Sequence, residues 1–126
     1  TLPDAKGQMQ SLSQYRGKVI VLDFSSTEME QYVAYNFELR ELYNQYHKQG
    51  LEIYSVGIER NLLAWEEATE NLPWLTVRAL DNEITEVLTR YNVQSLPTLF
   101  LFDKEGNVQG RYTDFTALEA DINKYL

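Results

Sequence analysis

The sequence predicts a single α/β domain in which helices cover both faces of a mixed central β-sheet. Three features carry this prediction: a nearly unbroken apolar strand at residues 19 to 24, the long amphipathic helix after it, and a late hairpin pattern. Alternating strands and helices imply parallel crossovers, and the hairpin adds antiparallel pairing to the sheet. The chain has 126 residues, 44% of them hydrophobic, so it can bury one core without disulfides or a structural metal.

The first strand and the first helix have clear boundaries. Residues 19 to 24 are β-branched or large and apolar apart from Asp23, which suits a central strand covered on both faces. From Met29 to Gln49 the pattern becomes helical, and Gly50 is the expected C-terminal stop. The apolar stripe of this helix comprises Tyr32, Tyr35, Leu39, Leu42 and Tyr46.

The middle of the chain predicts one more strand and two shorter helices. Residues 51 to 58 are rich in β-branched and aromatic side chains, which is typical of a strand. Asn61 is suited to cap the helix after it, and Pro73 is suited to close that helix. The apolar residues of this helix are Leu62, Trp65 and Leu72. Those of a third, short helix are Ile84, Val87, Leu88 and Tyr91.

The last third of the chain predicts the hairpin and a final helix. Thr98–Phe102 and Val108–Tyr112 have strand patterns and are joined by a turn at residues 103 to 107. We expect Asp114 or Thr113 to cap the final helix. Its apolar stripe is Phe115, Leu118, Ile122 and Tyr125. After a loop-rich segment over residues 1 to 17, the predicted order is strand, helix, strand, helix, helix, strand, strand, helix.

The charge of the chain argues against two classes of partner. The 11 Lys and Arg residues face 19 Asp and Glu, and the resulting net charge of -8 opposes binding to nucleic-acid phosphates or to an anionic membrane surface. No run approaches the roughly 18 apolar residues of a membrane span, so no transmembrane segment is predicted. A net charge of this size is also common in ordinary domains, and it identifies no partner.

No metal site and no cofactor are predicted. His47 is the only histidine, the chain has no cysteine, and no acidic pair shows the spacing of metal ligands. We expect His47 to be a surface residue near the C-terminal end of the long helix. The nine Tyr, two Trp and five Phe fall mostly on predicted core stripes, so core packing accounts for them better than a ligand platform does.

Short motifs spread over the whole chain carry a family likeness. In order, they are Leu2-Pro3-Asp4, Gly7, Ser11-Leu12-Ser13, Tyr15-Arg16-Gly17-Lys18-Val19, Leu22-Asp23-Phe24, Asn92-Val93, Leu96-Pro97-Thr98 and Phe102-Asp103-Lys104-Glu105-Gly106. Together they resemble the TlpA/ResA-type branch of the thioredoxin-like superfamily, which is commonly grouped with the AhpC/TSA peroxiredoxin-like domains. The resemblance implies a three-layer thioredoxin-like fold with a C-terminal β-hairpin and helix. It also implies an extracytoplasmic location, in the periplasm or cell envelope of a bacterium. Because the chain opens inside the first motif, we expect a domain cut from a longer precursor.

The motif that carries the family's activity is absent. In that family the first strand is followed by a segment like Trp-Ala-Thr-Trp-Cys-Pro-Pro-Cys, whose cysteine pair lies at the N-terminus of a helix. Counted without gaps from Phe24, Met29 stands at the first cysteine and Tyr32 at the second, with Glu30 and Gln31 between them. A thioether and a phenol can neither form nor resolve a disulfide, and peroxiredoxin chemistry also needs a thiolate. We therefore expect a redox-inactive domain with no catalytic residue.

Three acidic residues lie near these positions. Asp23 stands alone in an apolar strand, so we expect it to be buried, with desolvation raising its pKa. The resemblance implies an acid beneath the cysteine pair that takes part in proton transfer. Here we expect a structural acid, hydrogen-bonded near the strand end, with a residual functional role as the alternative. Glu28 and Glu30 are expected to flank the helix start, where the helix dipole favours carboxylates, and not to form a catalytic pair.

The loop around Pro97 resembles the one whose proline is cis in thioredoxin-like proteins and faces the active site, so we expect a cis peptide bond. In relatives the backbone beside this proline pairs with an extended substrate peptide, a contact that needs no catalytic side chain. One expectation is therefore a peptide-binding face. Its residues would be Glu28, Met29, Tyr32, Leu96 and Pro97. The alternative is a groove filled by its own side chains.

Three functions remain open at this point. The first, which we expect, is a binding or structural module without redox activity. The second is a thiol-disulfide oxidoreductase or peroxidase by descent, whose chemistry is supplied by another domain or by a partner. The third is a homodimer whose interface is the former active-site face.

Overall fold

A computed structural model describes residues 2–3, 7–59, 61–79 and 84–126 of the chain. Its strands are β1 (Leu2–Pro3), β2 (Met9–Gln10), β3 (Val19–Ser25), β4 (Leu51–Gly57), β5 (Leu75–Arg78), β6 (Thr98–Phe102) and β7 (Val108–Tyr112). Its α-helices are α1 (Tyr32–Tyr46), α2 (Leu62–Thr69), α3 (Ile84–Arg90) and α4 (Phe115–Tyr125). Short 3-10 helices cover Leu12–Tyr15 and His47–Gln49.

The main sheet has the strand order β5-β4-β3-β6-β7. β3 is parallel to β4 and β4 is parallel to β5, whereas β6 is antiparallel to both β3 and β7. β1 and β2 form a separate antiparallel pair. The predicted mixed α/β architecture, with its hairpin at Thr98–Phe102 and Val108–Tyr112, is therefore confirmed.

Side chains on β3 alternate between two cores, one on each face of the sheet. Val19 and Val21 pack with apolar side chains of α1 and α4, whereas Ile20 and Leu22 pack with those of α3 on the opposite face. Fully burying one such side chain stabilises the fold by about 1.5–3 kcal/mol. By the same alternation, Asp23 points toward the face covered by α1 and α4.

The predicted caps of α2 and α4 are confirmed, with Asp114 and not Thr113 at the start of α4. The Asn61 side chain accepts a hydrogen bond from the backbone N–H of Ala64 at 3.1 Å, at the start of α2. At the start of α4, Asp114 accepts from the backbone N–H groups of Thr116 and Ala117 at 3.0 and 3.2 Å. Each cap satisfies N–H groups that the first turn of a helix leaves without an intrahelical partner.

The predicted order of elements was wrong between α2 and α3, where the structure has an additional strand, β5. Helix α2 ends at Thr69, before Pro73, and the chain then turns as Leu72 N–H donates to the Thr69 carbonyl at 3.1 Å. The turn brings Leu75–Arg78 beside β4 at the edge of the sheet. This strand has four residues and alternates apolar with polar ones, so its pattern is too short to stand out from a loop.

Candidate functional site

The segment between β3 and α1 folds as turns and not as the start of the helix. Met29 N–H donates to the Ser26 carbonyl at 3.1 Å, and Tyr32 N–H donates to the Met29 carbonyl at 3.1 Å. Helix α1 begins at Tyr32, and its N-cap, Gln31, makes no side-chain capping bond. The prediction of a helix from Met29 was therefore three residues too long at its N-terminus.

The expected position of Glu28 and Glu30 at the helix start was also wrong. Both are exposed and precede the N-cap, and the first turn of α1 contains no acidic residue. The physical reason is that this segment takes its hydrogen bonds from other partners. Glu28 N–H, for example, donates to the Ser26 hydroxyl at 3.1 Å.

Glu59 is the main partner of this turn, and the sequence analysis did not identify it. Its carboxylate accepts hydrogen bonds from the Ser26 hydroxyl at 3.2 Å, the Thr27 backbone N–H at 2.5 Å and the Thr27 hydroxyl at 3.1 Å. The side chain is almost completely buried, with 1% exposure. Glu59 follows β4, and because β3 and β4 are parallel with Ser25 opposite Gly57, their carboxyl ends meet at one edge. That register was the signal that could have identified Glu59.

Asp23 is buried and hydrogen-bonded, as expected. Its carboxylate accepts from the Tyr35 hydroxyl, from the Ser55 hydroxyl at 2.7 Å and from the Ser25 hydroxyl at 3.1 Å. Trp74 Nε1 extends the network by donating to the Ser55 hydroxyl at 2.9 Å. Burial raises the pKa of Asp23 to about 6, and the three hydrogen bonds oppose this rise by stabilising the charged form.

Both buried acids line one small cavity. It has a volume of about 20 Å³, and its lining includes Asp23, Glu59 and Tyr32 together with hydroxyl groups of β3 and β4. This volume holds about one water molecule and no substrate. Burial, together with the nearby charges of Asp23 and Glu59, raises the pKa of the Tyr32 phenol to about 12. A phenol with this pKa stays protonated at neutral pH.

The residues expected to form one peptide-binding face lie in different surroundings. Met29 is half-buried against the core beneath α1 and α4, whereas Leu96 is half-buried against the core beneath α3. Tyr32 lines the small cavity, and Glu28 is exposed. The Leu96-Pro97 peptide bond is cis, as expected, and Pro97 lines a separate groove.

That groove has a volume of about 430 Å³ and lies between α1 and the start of α4. It is lined by Gln31, Ala34, Tyr35, Glu38, Pro97, Thr113, Asp114, Phe115 and Thr116. The rings of Tyr35 and Phe115 are in contact, with centroids 5.2 Å apart. Glu38 and Asp114 are the charged residues of this lining, so the groove is acidic. Asp114 and Phe115 were predicted at the start of the final helix, but their position beside Pro97 was not predicted.

His47 lies at the surface near the C-terminal end of the long helix, as expected, with 41% of its side chain exposed. Its ring stacks on Tyr43 with centroids 4.4 Å apart, and its Nδ1 lies 3.8 Å from Glu52 Oε1. Tyr43 lies four residues before His47, about one helical turn, so the two rings are close enough to stack. Among the residues that the structure describes, no group of three or more His, Cys, Asp or Glu side chains could hold a metal ion.

No helix within the described ranges is long and apolar enough to cross a membrane.

The mixed sheet, the cis-proline loop and the turn after β3 define a protein of the thioredoxin-like class. A family model described as thioredoxin-like matches residues 17–108, and the chain belongs to this family. Its sequence is 38% identical over 128 residues to the thiol-disulfide oxidoreductase ResA of Geobacillus kaustophilus, covering 99% of this chain and 71% of that protein. It is 30% identical over 125 residues to ResA of Bacillus subtilis, covering 99% of this chain and 69% of that protein.

Solved structures give the same result for the fold. An uncharacterized thioredoxin-like protein from Bacteroides vulgatus has a TM-score of 0.87 at 35% identity, covering 98% of this chain and 81% of that one. The thioredoxin domain of a thiol-disulfide oxidoreductase from the same organism has a TM-score of 0.89 at 26% identity, covering 99% and 91%. The chain is thus a ResA-like member of the thioredoxin-like family that has no cysteine.

Proposed function

We propose that this chain is a redox-inactive thioredoxin-like domain that binds an extended, basic peptide segment in the groove beside Pro97. The observation that carries the proposal is the contrast between two neighbouring sites. Of the two residues expected at the cysteine positions, Tyr32 lines a cavity of about 20 Å³ and Met29 packs against the core, whereas the groove along Pro97 is open and measures about 430 Å³.

Strand addition is the binding mode that we propose for this groove. A peptide in extended conformation gains affinity from main-chain hydrogen bonds and specificity from pockets for alternate side chains. The partly exposed ring of Phe115, packed on the buried ring of Tyr35, offers an apolar contact beside Pro97. Aromatic rings of this kind supply large contact areas in peptide and protein interfaces.

The charge of the groove supports a basic ligand. Glu38 on α1 and Asp114 at the start of α4 both contribute carboxylates, and the described lining includes no Lys or Arg. The net charge of -8 on the whole chain acts in the same direction, because it attracts cations at long range. A peptide with Lys or Arg at alternate positions would therefore complement both the shape and the sign of the site.

The names of the ResA relatives motivate a second candidate, in which the chain belongs to a redox system and another domain or partner supplies the thiols. Thiol-disulfide exchange needs a thiolate, and this chain has none. On this proposal the groove would present a substrate to a cysteine pair on a partner. We also propose an extracytoplasmic location, in keeping with the family resemblance.

Titration with two capped ten-residue peptides tests the first candidate. One peptide alternates Val with Lys and the other alternates Val with Glu. We expect the Lys peptide to shift the backbone amide resonances of Ala34, Thr98 and Thr116 in a saturable way, and the Glu peptide to bind at least tenfold more weakly. Equal binding of both peptides would refute the basic specificity, and the absence of saturable shifts with either would refute the binding site.

A charge-neutral variant and a matched control locate the interaction. Glu38→Gln is expected to weaken the Lys peptide about two- to fivefold, the size of an exposed ion pair. Glu41→Gln is the control, because Glu41 is an exposed carboxylate on the same helix that does not line the groove. If Glu41→Gln weakens binding as much as Glu38→Gln, general charge attraction explains the effect and the groove does not.

A further inference from the structure

Another concavity lies at the opposite end of the sheet from the Pro97 groove. It has a volume of about 250 Å³ and is lined by Ser13, Arg16, Ile20, Phe102, Asp103 and Gly106. It lies between the 3-10 turn at Leu12–Tyr15 and the turn that joins β6 to β7. Ile20 and Ser25 are five positions apart along β3. Roughly 17 Å therefore lies between this pocket and the end of the sheet where the former active site is expected.

Arg16 is a cation without a partner in the described part of the chain. Its side chain is exposed, and none of the hydrogen bonds or ion pairs among the described residues uses its guanidinium. The Nε atom lies 4.0 Å from the position that a Cβ atom on Gly106 would occupy, so the head group rests beside the hairpin turn. A guanidinium offers five N–H donors in a planar fork that matches the two oxygens of a carboxylate.

Asp103 provides the opposite charge in the same pocket. Its carboxylate accepts the backbone N–H groups of Glu105 and Asn107 at 3.0 and 2.9 Å and the Gln109 side-chain amide at 2.6 Å. The backbone hydrogen bond from Asn107 is the main cause that lowers the pKa of Asp103, so the group is ionised at neutral pH. A carboxylate has about four acceptor positions, and three are used here.

The two charges face one pocket without forming an ion pair with each other. Arg16 and Asp103 both line it, yet they do not pair within 4.0 Å. Ile20 and Phe102, opposite each other on β3 and β6, form an apolar floor and are only 3% and 8% exposed. The pocket therefore combines a cation with no partner among the described residues, an anion with one remaining acceptor position, and an apolar surface.

We propose that this pocket binds a free α-amino acid with an apolar side chain of about the size of leucine. The ligand carboxylate pairs with the Arg16 guanidinium, the ammonium group faces Asp103, and the side chain rests on Ile20 and Phe102. A zwitterion suits this site better than a simple acid, because Asp103 repels a second anion that carries no compensating positive charge. The volume of about 250 Å³ accommodates one amino acid and is small for a peptide.

Titration with three matched small molecules tests this assignment. L-leucine carries both charges, 4-methylpentanoate lacks the ammonium group, and 3-methylbutylamine lacks the carboxylate. We expect leucine to shift the amide resonances of Gly17, Ile20 and Gly106 in a saturable way. Each analogue is expected to bind at least tenfold more weakly. No saturable shift with leucine, or equal binding of either analogue, would overturn the proposal.

Two variants separate the Arg16 contact from general charge attraction. Arg16→Gln keeps a polar side chain and is expected to weaken leucine binding about tenfold or more, because a charge-assisted bidentate pair is lost. Lys104→Gln, a neighbouring exposed cation that does not line the pocket, is expected to change the affinity less than twofold. Equal losses in both variants would overturn the assignment to Arg16. Leucine binding at this pocket does not involve the Pro97 groove. The failure of one proposal would therefore leave the other intact.

Discussion

Glu59 accepts both the backbone N–H and the side-chain hydroxyl of Thr27, although 32 positions separate the two residues in the chain. The contact joins the end of β4 to the turn between β3 and α1. Since Glu59 is 1% exposed, water cannot easily replace it as the acceptor. The turn between β3 and α1 is therefore held by a tertiary contact and not by helix α1.

Removal of the Glu59 carboxylate should destabilise the turn that contains Thr27. In Glu59→Ala the Thr27 N–H and two hydroxyl groups lose their partner, and we expect the free energy of unfolding to fall by about 2–3 kcal/mol. Urea unfolding measures this loss, and amide hydrogen exchange at Thr27 should become more than tenfold faster. The control is Glu67→Ala, an exposed glutamate on α2. Unchanged exchange at Thr27 would show that the turn holds without Glu59.

Asp23 should make stability depend on pH. Because burial raises its pKa from 3.8 to about 6, the folded state binds the proton more tightly than the unfolded state. The stabilisation by this proton is full below pH 4 and is lost as the pH rises through 6. A shift of about two pKa units corresponds to roughly 3 kcal/mol.

Comparison with Asp23→Asn isolates this contribution. We expect the free energy of unfolding of the native chain to fall by roughly 3 kcal/mol relative to the variant between pH 4 and pH 7. The effects of other carboxyl groups cancel in this difference. Glu28→Gln, which changes an exposed carboxylate of the neighbouring turn, serves as the control. A carboxyl resonance of Asp23 that titrates near pH 4 would contradict the prediction.

A restored cysteine pair tests the register of the missing motif. In the double variant Met29→Cys with Tyr32→Cys, the second thiol stands at the first residue of α1, where the helix dipole favours a thiolate. We expect this variant to reduce insulin disulfides at a measurable rate. The single variants lack a resolving thiol and should not turn over. A folded but inactive double variant would mean either that the turn geometry differs from that of the active relatives or that the ungapped register is wrong.

Gly57 allows close packing between the end of β4 and helix α2. A Cβ atom added there would stand 2.7 Å from Trp65 Nε1, and Trp65 is 2% exposed and cannot move freely. We expect Gly57→Ala to lower the free energy of unfolding by about 1–3 kcal/mol through overpacking. The exposed substitution Ala64→Ser on α2 should cost only about 0.5 kcal/mol. Denaturant unfolding of both variants distinguishes the two effects.

The sequence predicted elements whose pattern is local and missed those that depend on tertiary contacts. The hairpin strands β6 and β7 were predicted with the observed bounds, because their pattern and the turn between them are local signals. Asp23 stood out because it is the single charge in an apolar strand. Glu59 did not stand out, because its neighbours resemble an ordinary polar loop and its burial comes from the approach of Thr27. The start of α1 was misplaced for the same reason.

The lining of the Pro97 groove was also only partly predicted from the sequence. Pro97 was predicted from its family motif, but its neighbours Glu38 and Phe115 come from two helices that are far apart in sequence. Their meeting depends on how α4 packs beside α1, which hydrophobic periodicity alone does not specify. The short edge strand β5 was missed because four residues, of which only Val77 is fully buried, do not form a distinctive pattern.

Tyr35 couples the groove to the buried acid, because its ring lines the groove while its hydroxyl donates to Asp23. A ligand that displaces this ring changes the proton affinity of Asp23. By thermodynamic reciprocity, protonation of Asp23 then changes the ligand's affinity by the same factor. Binding in the groove would therefore take up or release protons near pH 6, and calorimetry in buffers of different ionisation enthalpy would detect this exchange.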